Sequence, residues 1–392
     1  MQSIDSGNNA WVMVAGCLVM FMTPGMGFFY GGMVNKKNML STIAYCMLVF
    51  CVASITWALL GFSLAFGNPT AANGYIGDCT YCGLINIVLS STNIYSSNVP
   101  LTTFFFFQMM FASISPAIFI GSLIGRIRVA FLIPLIIIFQ IIVYCPIAYW
   151  LWNPNGWLRI MGAIDFAGGN VIHIPAGFAA LASAVFFGST KSKTCRQNSA
   201  SVSLTLIGTS ILWFGWFGFN GGSALVSNLI ASVALVNSHL AACAGGLAWA
   251  GVQYLLTDKS SIVGWCCGSI CGLVGITPCA GFVSLWSSIV IGAISGMLSY
   301  IFCHFKSKHF DELSDTLDVF GCHGISGVWG GIAAGVFATG DSGNNVNGLF
   351  YGGGHLFGVN VLGVVVCSAY TFIMTLTIYY LLSHLTVAKV TD

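Results

Sequence analysis

Two histidines stand where an ionisable group is costly. His173 lies in Gly168-Gly169-Asn170-Val171-Ile172-His173-Ile174, and His323 in Phe320-Gly321-Cys322-His323-Gly324, both apolar and glycine-rich. Ionisable side chains inside a bilayer are rare and tend to face a cavity or one another. A single membrane histidine is most often structural, hydrogen-bonded to a neighbouring helix. Two of them on helices at corresponding places in the chain point instead to a shared path. Burial disfavours the charged imidazolium, so both rings are expected to be neutral. Facing each other, they could share one proton and offer donors and acceptors along a narrow passage. That suits a small hydrogen-bonding solute better than a bare ion.

An acidic residue precedes each histidine, Asp165 before His173 and Asp318 before His323. A carboxylate near the start of a helix can cap its exposed N–H groups, and this structural role is preferred to direct chemistry. The other histidines carry less. His239 sits beside Asn237 and Ser238, as on a polar helix face; His304 and His309 flank a basic loop; His355 and His384 lie near segment ends. The 30 phenylalanines and 11 tryptophans are by default lipid-facing or interfacial. Trp152, Phe111, Phe219 and Ser223, however, fall where a pore mouth would be. Aromatic faces attract a cation, and a hydroxyl can accept a hydrogen bond from it. Spacing alone does not bring these four together.

Membrane helices must hold these residues. Charged residues are 6% of the 392 and hydrophobic ones 57%, whereas a soluble domain carries about a quarter charged. A net charge of +2 gives no reason to expect a nucleic-acid partner. Spans of about 20 apolar residues fall at 10–32, 40–66, 101–124, 129–150, 168–188, 201–219, 224–256, 262–280, 283–303, 321–338 and 356–384. The segment at 321–338 is short and glycine-rich, which suggests burial in the bundle. Residues 1–10 lack the basic region of a signal peptide, so the first segment is expected to remain in the mature chain.

Eleven spans with the N-terminus outside put Lys36, Lys37, Arg126, Arg128, Lys191, Lys193, Arg196, Lys259, Lys306, Lys308 and Lys389 on the inner side. Only Arg159 of the 12 basic residues is left outside, as the positive-inside rule requires. These charges read as solvated loop residues that set topology. The expected architecture is a single all-α membrane domain over 1–392, N-terminus out and C-terminus in. Phe29-Tyr30-Gly31-Gly32 resembles Phe219-Asn220-Gly221-Gly222, and one histidine falls in the fifth and one in the tenth span. An inverted repeat is therefore expected, about 10–200 and 201–340 plus a last helix at 356–384, with its site between the repeats.

Most of the 15 cysteines sit singly in apolar segments, where cysteine behaves as a small hydrophobe. Cys79 and Cys82 share a polar loop, where free thiols and a short local disulfide are both open; no metal site is expected. Among other classes, two facing histidines could ligate a haem. A water or glycerol channel fits poorly, because Asn68-Pro69 and Asn153-Pro154 lack a following alanine; HExxH peptidase chemistry has no support.

Four stretches resemble the ammonium transporter family (Amt/Mep/Rh): Asp165-Phe166-Ala167-Gly168-Gly169-Asn170-Val171-Ile172-His173, Pro24-Gly25-Met26-Gly27-Phe28-Phe29-Tyr30-Gly31-Gly32, Gly215-Trp216-Phe217-Gly218-Phe219-Asn220-Gly221-Gly222-Ser223-Ala224 and Asp318-Val319-Phe320-Gly321-Cys322-His323-Gly324. They occur in family order and the likeness spans about 10–388. The resemblance implies a homotrimer with one ammonia-conducting pore per subunit in the plasma membrane, no cofactor and no enzymatic activity. It places His173 and His323 as paired pore histidines and Trp152, Phe111 and Ser223 as an ammonium-recruiting site. Phe111 and Phe219 would form a stacked gate, with Asp165 organising the site. Trp152 favours the Amt/Mep branch. Gly125 stands where many relatives have an acidic residue, and Pro175 where asparagine is usual. The chain ends at Asp392, directly after the last span, so the longer cytoplasmic tail of relatives is expected to be absent. The likeness therefore does not extend to tail-mediated gating or to a PII-type regulator. An ammonium sensor is the alternative function.

Overall fold

Among the described residues of the computed structural model, ten helices are long and apolar enough to cross a membrane. The structure describes residues 4–70, 74–89, 92, 94–188, 199–310, 315–342 and 346–386; Lys191, Lys193, Arg196 and Lys389 lie outside them. In chain order the long helices are α1 (Ser6–Met33), α2 (Lys36–Phe66), α3 (Leu101–Ser122), α4 (Val129–Ile160), α5 (Gly169–Phe187), α6 (Val202–Gly221), α7 (Leu229–Thr257), α9 (Leu285–His309), α10 (Phe320–Phe337) and α11 (Gly354–Leu385). The eleventh apolar segment forms α8 (Ile262–Ile276), shorter than the 262–280 read from sequence. It stops there because Pro278 follows and cannot continue a helix, and 277–282 turns back under the site. Among the described residues there is no strand, only isolated bridges such as Val283 to Ala338.

Small residues set how the helices pack. A Cβ on Gly272 or Gly292 would meet the carbonyl of Ala241, and one on Gly296 that of Gly245. Helices α8 and α9 therefore lie directly against α7, backbone to backbone, as small-residue contacts allow in membranes. Helix α10 is largely buried, including Gly321, Gly324, Gly327 and Gly330. Large apolar side chains such as Val14, Leu59, Leu247 and Ile373 are exposed on the outer faces, where a bilayer would cover them. The aromatic default is overturned for many rings. Trp57, Trp216, Phe62, Phe104, Phe107 and Phe119 are fully buried, because they fill the gaps that the many glycines leave.

Two charges read as solvated are not. Arg126 is buried, donates to the carbonyls of Gly188 and Ser122, and lies over the Phe187 ring. Lys306 pairs with Asp318. Gly125, beside Arg126, has φ +74°, a left-handed value that glycine adopts without strain. Asn237 and Ser238 are buried and bonded to backbone carbonyls, whereas His239 is exposed on another face of α7. The polar face read from that triplet does not form, because successive helical residues point 100° apart. Cys79 and Cys82 are joined in a disulfide.

Candidate functional site

Among the described residues five helices contain a widened π-type turn, at Trp57–Gly61, Gln140–Tyr144, Gly169–His173, Phe217–Gly221 and Phe320–Ile325. Such turns are rare and often functional, and three of the five carry His173, Phe219 and His323. Pro146 and Pro175 each come two residues after a π-type turn. Proline lacks an N–H and its ring collides with the carbonyl four residues back. The shifted hydrogen-bond register ahead of it removes that collision, which gives Pro175 a local structural reason.

Helix α5 is preceded by Gly168, whose φ is +111°. Asp165 lies just before it. Its two carboxylate oxygens accept the N–H groups of Gly168, Gly169, Asn170 and Val171 at 2.7–3.1 Å. Burial holds the Asp165 carboxyl up at about 6, against the pull of those four donors. The start of α10 is arranged otherwise. The Phe320 N–H goes to Asp315 at 2.7 Å, while Asp318 accepts from Lys306 at 2.5 Å. Burial raises the Asp315 carboxyl, with Lys306 opposing. The cap expected of Asp318 is thus provided three residues earlier. Asp318 itself has φ +53° and turns the chain into the helix.

The two histidines meet because their helices touch. A Cβ on Gly177, one turn beyond His173, would land on the backbone of Gly324, next to His323. At that crossing the rings stack with centroids 5.3 Å apart, and the two Nδ1 atoms are 3.2 Å apart. One ring must donate and the other accept. His173 Nε2 is buried with no partner. This contact leaves no place for an iron and a porphyrin between the rings, so the residues do not fit a haem.

On one side of the pair lie two stacked rings and, beyond them, a cavity. The Phe219 ring lies 5.9 Å from His173 and stacks on Phe111 at 4.3 Å with 22° between planes. Above them opens a cavity of about 520 Å³, whose lining includes Gln108, Phe111, Trp152, Asp165 and Ser223. Trp152 is edge-on to Phe111 at 6.0 Å, and its indole N–H donates to the Asp165 carbonyl. The Ser223 hydroxyl donates to the Phe219 carbonyl at 2.7 Å, which leaves its oxygen able to accept. The structure thus brings all seven residues expected at the site into one connected group. On the other side, His323 borders a cavity of only about 10 Å³.

Two neighbours were not singled out from sequence. Trp216 stacks on His173 at 5.4 Å and donates to the Thr277 hydroxyl, fixing the ring from behind. Its signal was its place three residues before Phe219, one helical turn away. Gln108 borders the large cavity, and its Oε1 is buried without a partner. Its spacing of three from Phe111 was the available clue.

The family model described as the Ammonium Transporter Family matches residues 10–392. The ammonium transporter of Bacillus subtilis is 38% identical over 383 residues, covering 97% of this chain and 93% of the relative. The crystal structure of Saccharomyces cerevisiae Mep2 superposes with a TM-score of 0.91 at 33% identity, covering 100% of this chain and 88% of that one. A structure described as a sensor Amt protein matches with a TM-score of 0.89 at 28% identity, covering 98% and 95%. The chain belongs to the ammonium transporter family.

Proposed function

We propose that the chain carries ammonium across a membrane by capturing the ion in the large cavity and passing ammonia along the line of rings. The observation that carries this reading is the order cavity, stacked Phe111 and Phe219, His173, His323. An ammonium ion entering the cavity meets the faces of Phe111 and Trp152 and the Ser223 oxygen, which favour a cation. The stacked rings leave no room for a hydration shell, and a bare charge at mid-bilayer costs about 3 kcal/mol even on insertion scales. Ammonia avoids that cost. The proton passes to solvent water in the large cavity, and ammonia then finds an unsatisfied nitrogen on His173.

The same reading takes α8 as an eleventh crossing, so that eleven of the twelve basic residues lie inside and the large cavity opens outside. It places the pore between two inverted repeats, one pore in each subunit of a homotrimer, as a multi-pass protein of the plasma membrane. A sensor role is not favoured, since identity to the sensor structure, 28%, is below the 38% to the B. subtilis transporter.

Proteoliposomes with simultaneous records of membrane current and internal pH test the proposal. Saturable, protein-dependent current with ammonium means that net charge crosses; internal alkalinisation without current means that ammonia alone does. Replacing His173 and His323 together by alanine should change the flux or its discrimination against potassium. Unchanged flux and unchanged discrimination would remove the histidines from the mechanism.

A further inference from the structure

Beneath His323 the structure gathers sulfur. The small cavity is lined by Cys267 and Cys322 together with His323, Tyr30 and Val319. Cys322 also has Cys271 and Cys303 within side-chain reach, and all four cysteines pack in one cluster with Trp249 and Tyr300. The Cys303 sulfur lies over Gly321, where a side chain would exclude it. All four thiols are free. We propose that this cluster is a binding site for one soft, two-coordinate d10 metal ion, held between the sulfurs of Cys322 and Cys267.

Three observations select that class of ion. The cavity, at about 10 Å³, holds a single water-sized occupant. Among the described residues no group of three or more His, Cys, Asp or Glu converges to hold a metal, so an ion that needs four ligands is not served. Thiolate sulfur selects soft ions, and a linear ion asks for only two ligands. On binding, two S–H bonds break, two metal–sulfur bonds form and two protons leave; nothing is oxidised or reduced. A divalent ion then forms a neutral bis-thiolate, whereas a monovalent one leaves a net negative charge among apolar groups, which is costly. Mercuric ion should therefore bind more tightly than silver. An occupant here abuts His323, so it would also block the passage; that part alone rests on the proposed function.

The test uses the full chain in proteoliposomes with Cys17, Cys51, Cys195 and Cys243 replaced by serine, to silence other reactive thiols. Mercuric chloride is the probe. Bound mercury is counted by mass spectrometry after washing, and ammonium flux is followed separately. One mercury per chain is expected, with flux blocked and restored by excess small thiol. Cys267→Ser and Cys322→Ser should each abolish that stoichiometric binding and raise the half-blocking concentration at least tenfold, while Cys367→Ser changes neither. If Cys322→Ser does not fold, Cys267→Ser, at the partly exposed edge of the cluster, carries the test. Equal binding in wild type and both variants overturns the site. Binding lost in the variants but without any block in the wild type keeps the site and instead removes His323 from the path.

Discussion

Helices α5 and α10 each begin with a π-type turn that holds a buried histidine, yet their starts are satisfied by different means. At α5 one carboxylate, Asp165, takes four backbone N–H groups. At α10 the work is divided: Asp315 takes the Phe320 N–H, and Asp318 is bonded to Lys306, which also donates to the Asp315 carbonyl. The first start borders the large cavity, which the proposed function fills with ammonium. A compensating lysine there would repel the solute, so the charge of Asp165 is spread over N–H dipoles alone. The second start borders the sulfur-lined side, and a full ion pair is tolerated. The contrast teaches that the same turn can be capped by dipoles alone or with an ion pair beside it.

Asp165→Ala should break the comparison most severely. It orphans four N–H groups, each costing about 1–3 kcal/mol when buried, so a loss of at least about 4 kcal/mol is expected. Thermal unfolding in detergent should show it, with little folded protein recovered. A loss under about 1 kcal/mol would mean that water replaces the carboxylate. Lys306→Met removes one member of a pair whose side chains are 12% and 7% exposed; a loss of about 3 kcal/mol is expected for breaking a buried pair. If α10 needed only the dipoles of a cap, as α5 does, Lys306→Met would be nearly silent in the same melt.

Gly177→Ala tests whether the two helices depend on one another. Its Cβ would collide with the Gly324 backbone, and overpacking of this kind costs about 1–3 kcal/mol. The larger consequence is that the histidines must separate, so ammonium flux should fall at least tenfold while folded protein is still obtained. Wild-type flux would show that the 3.2 Å contact is not needed.

The gentlest probe is pH. Asp165 is held up at about 6 against an ordinary 3.8, so the folded chain takes up this proton before the unfolded chain does. As pH falls from about 6 towards 3.8, this group alone shifts the balance towards the folded state, and that contribution is absent at neutral pH. A carboxyl infrared band titrating near 6 in wild type, and missing in Asp165→Asn, is the expected result. Titration near 3.8 would mean that the four donors fully offset burial.

Much of this was legible from residue types. A chain with 6% charged residues has to place its helices in an apolar medium, and the run lengths then locate nine of the ten long helices to within about six residues, while α4 runs on to Ile160 instead of ending at 150. His173 and His323 were visible because a polar ring in an apolar run has few bland explanations. The loop charges were less legible, since sequence does not tell a solvated Arg126 from one that caps Gly188. Buried aromatics such as Trp57 were also unreadable, because composition does not say which side of a helix faces inward.

What the sequence determined by itself is the class of the molecule and the local rules: apolar run length, the capping carboxylate at Asp165, the proline that follows a widened turn. Those depend on neighbours within a few residues. The tertiary structure alone decided that Gly177 and Gly324 touch, that the two Nδ1 atoms meet, that Asp315 rather than Asp318 caps α10, and that four cysteines from three helices pack in one cluster. Those contacts join positions from 4 to 150 residues apart, and only packed backbones fix which of the possible neighbours meet.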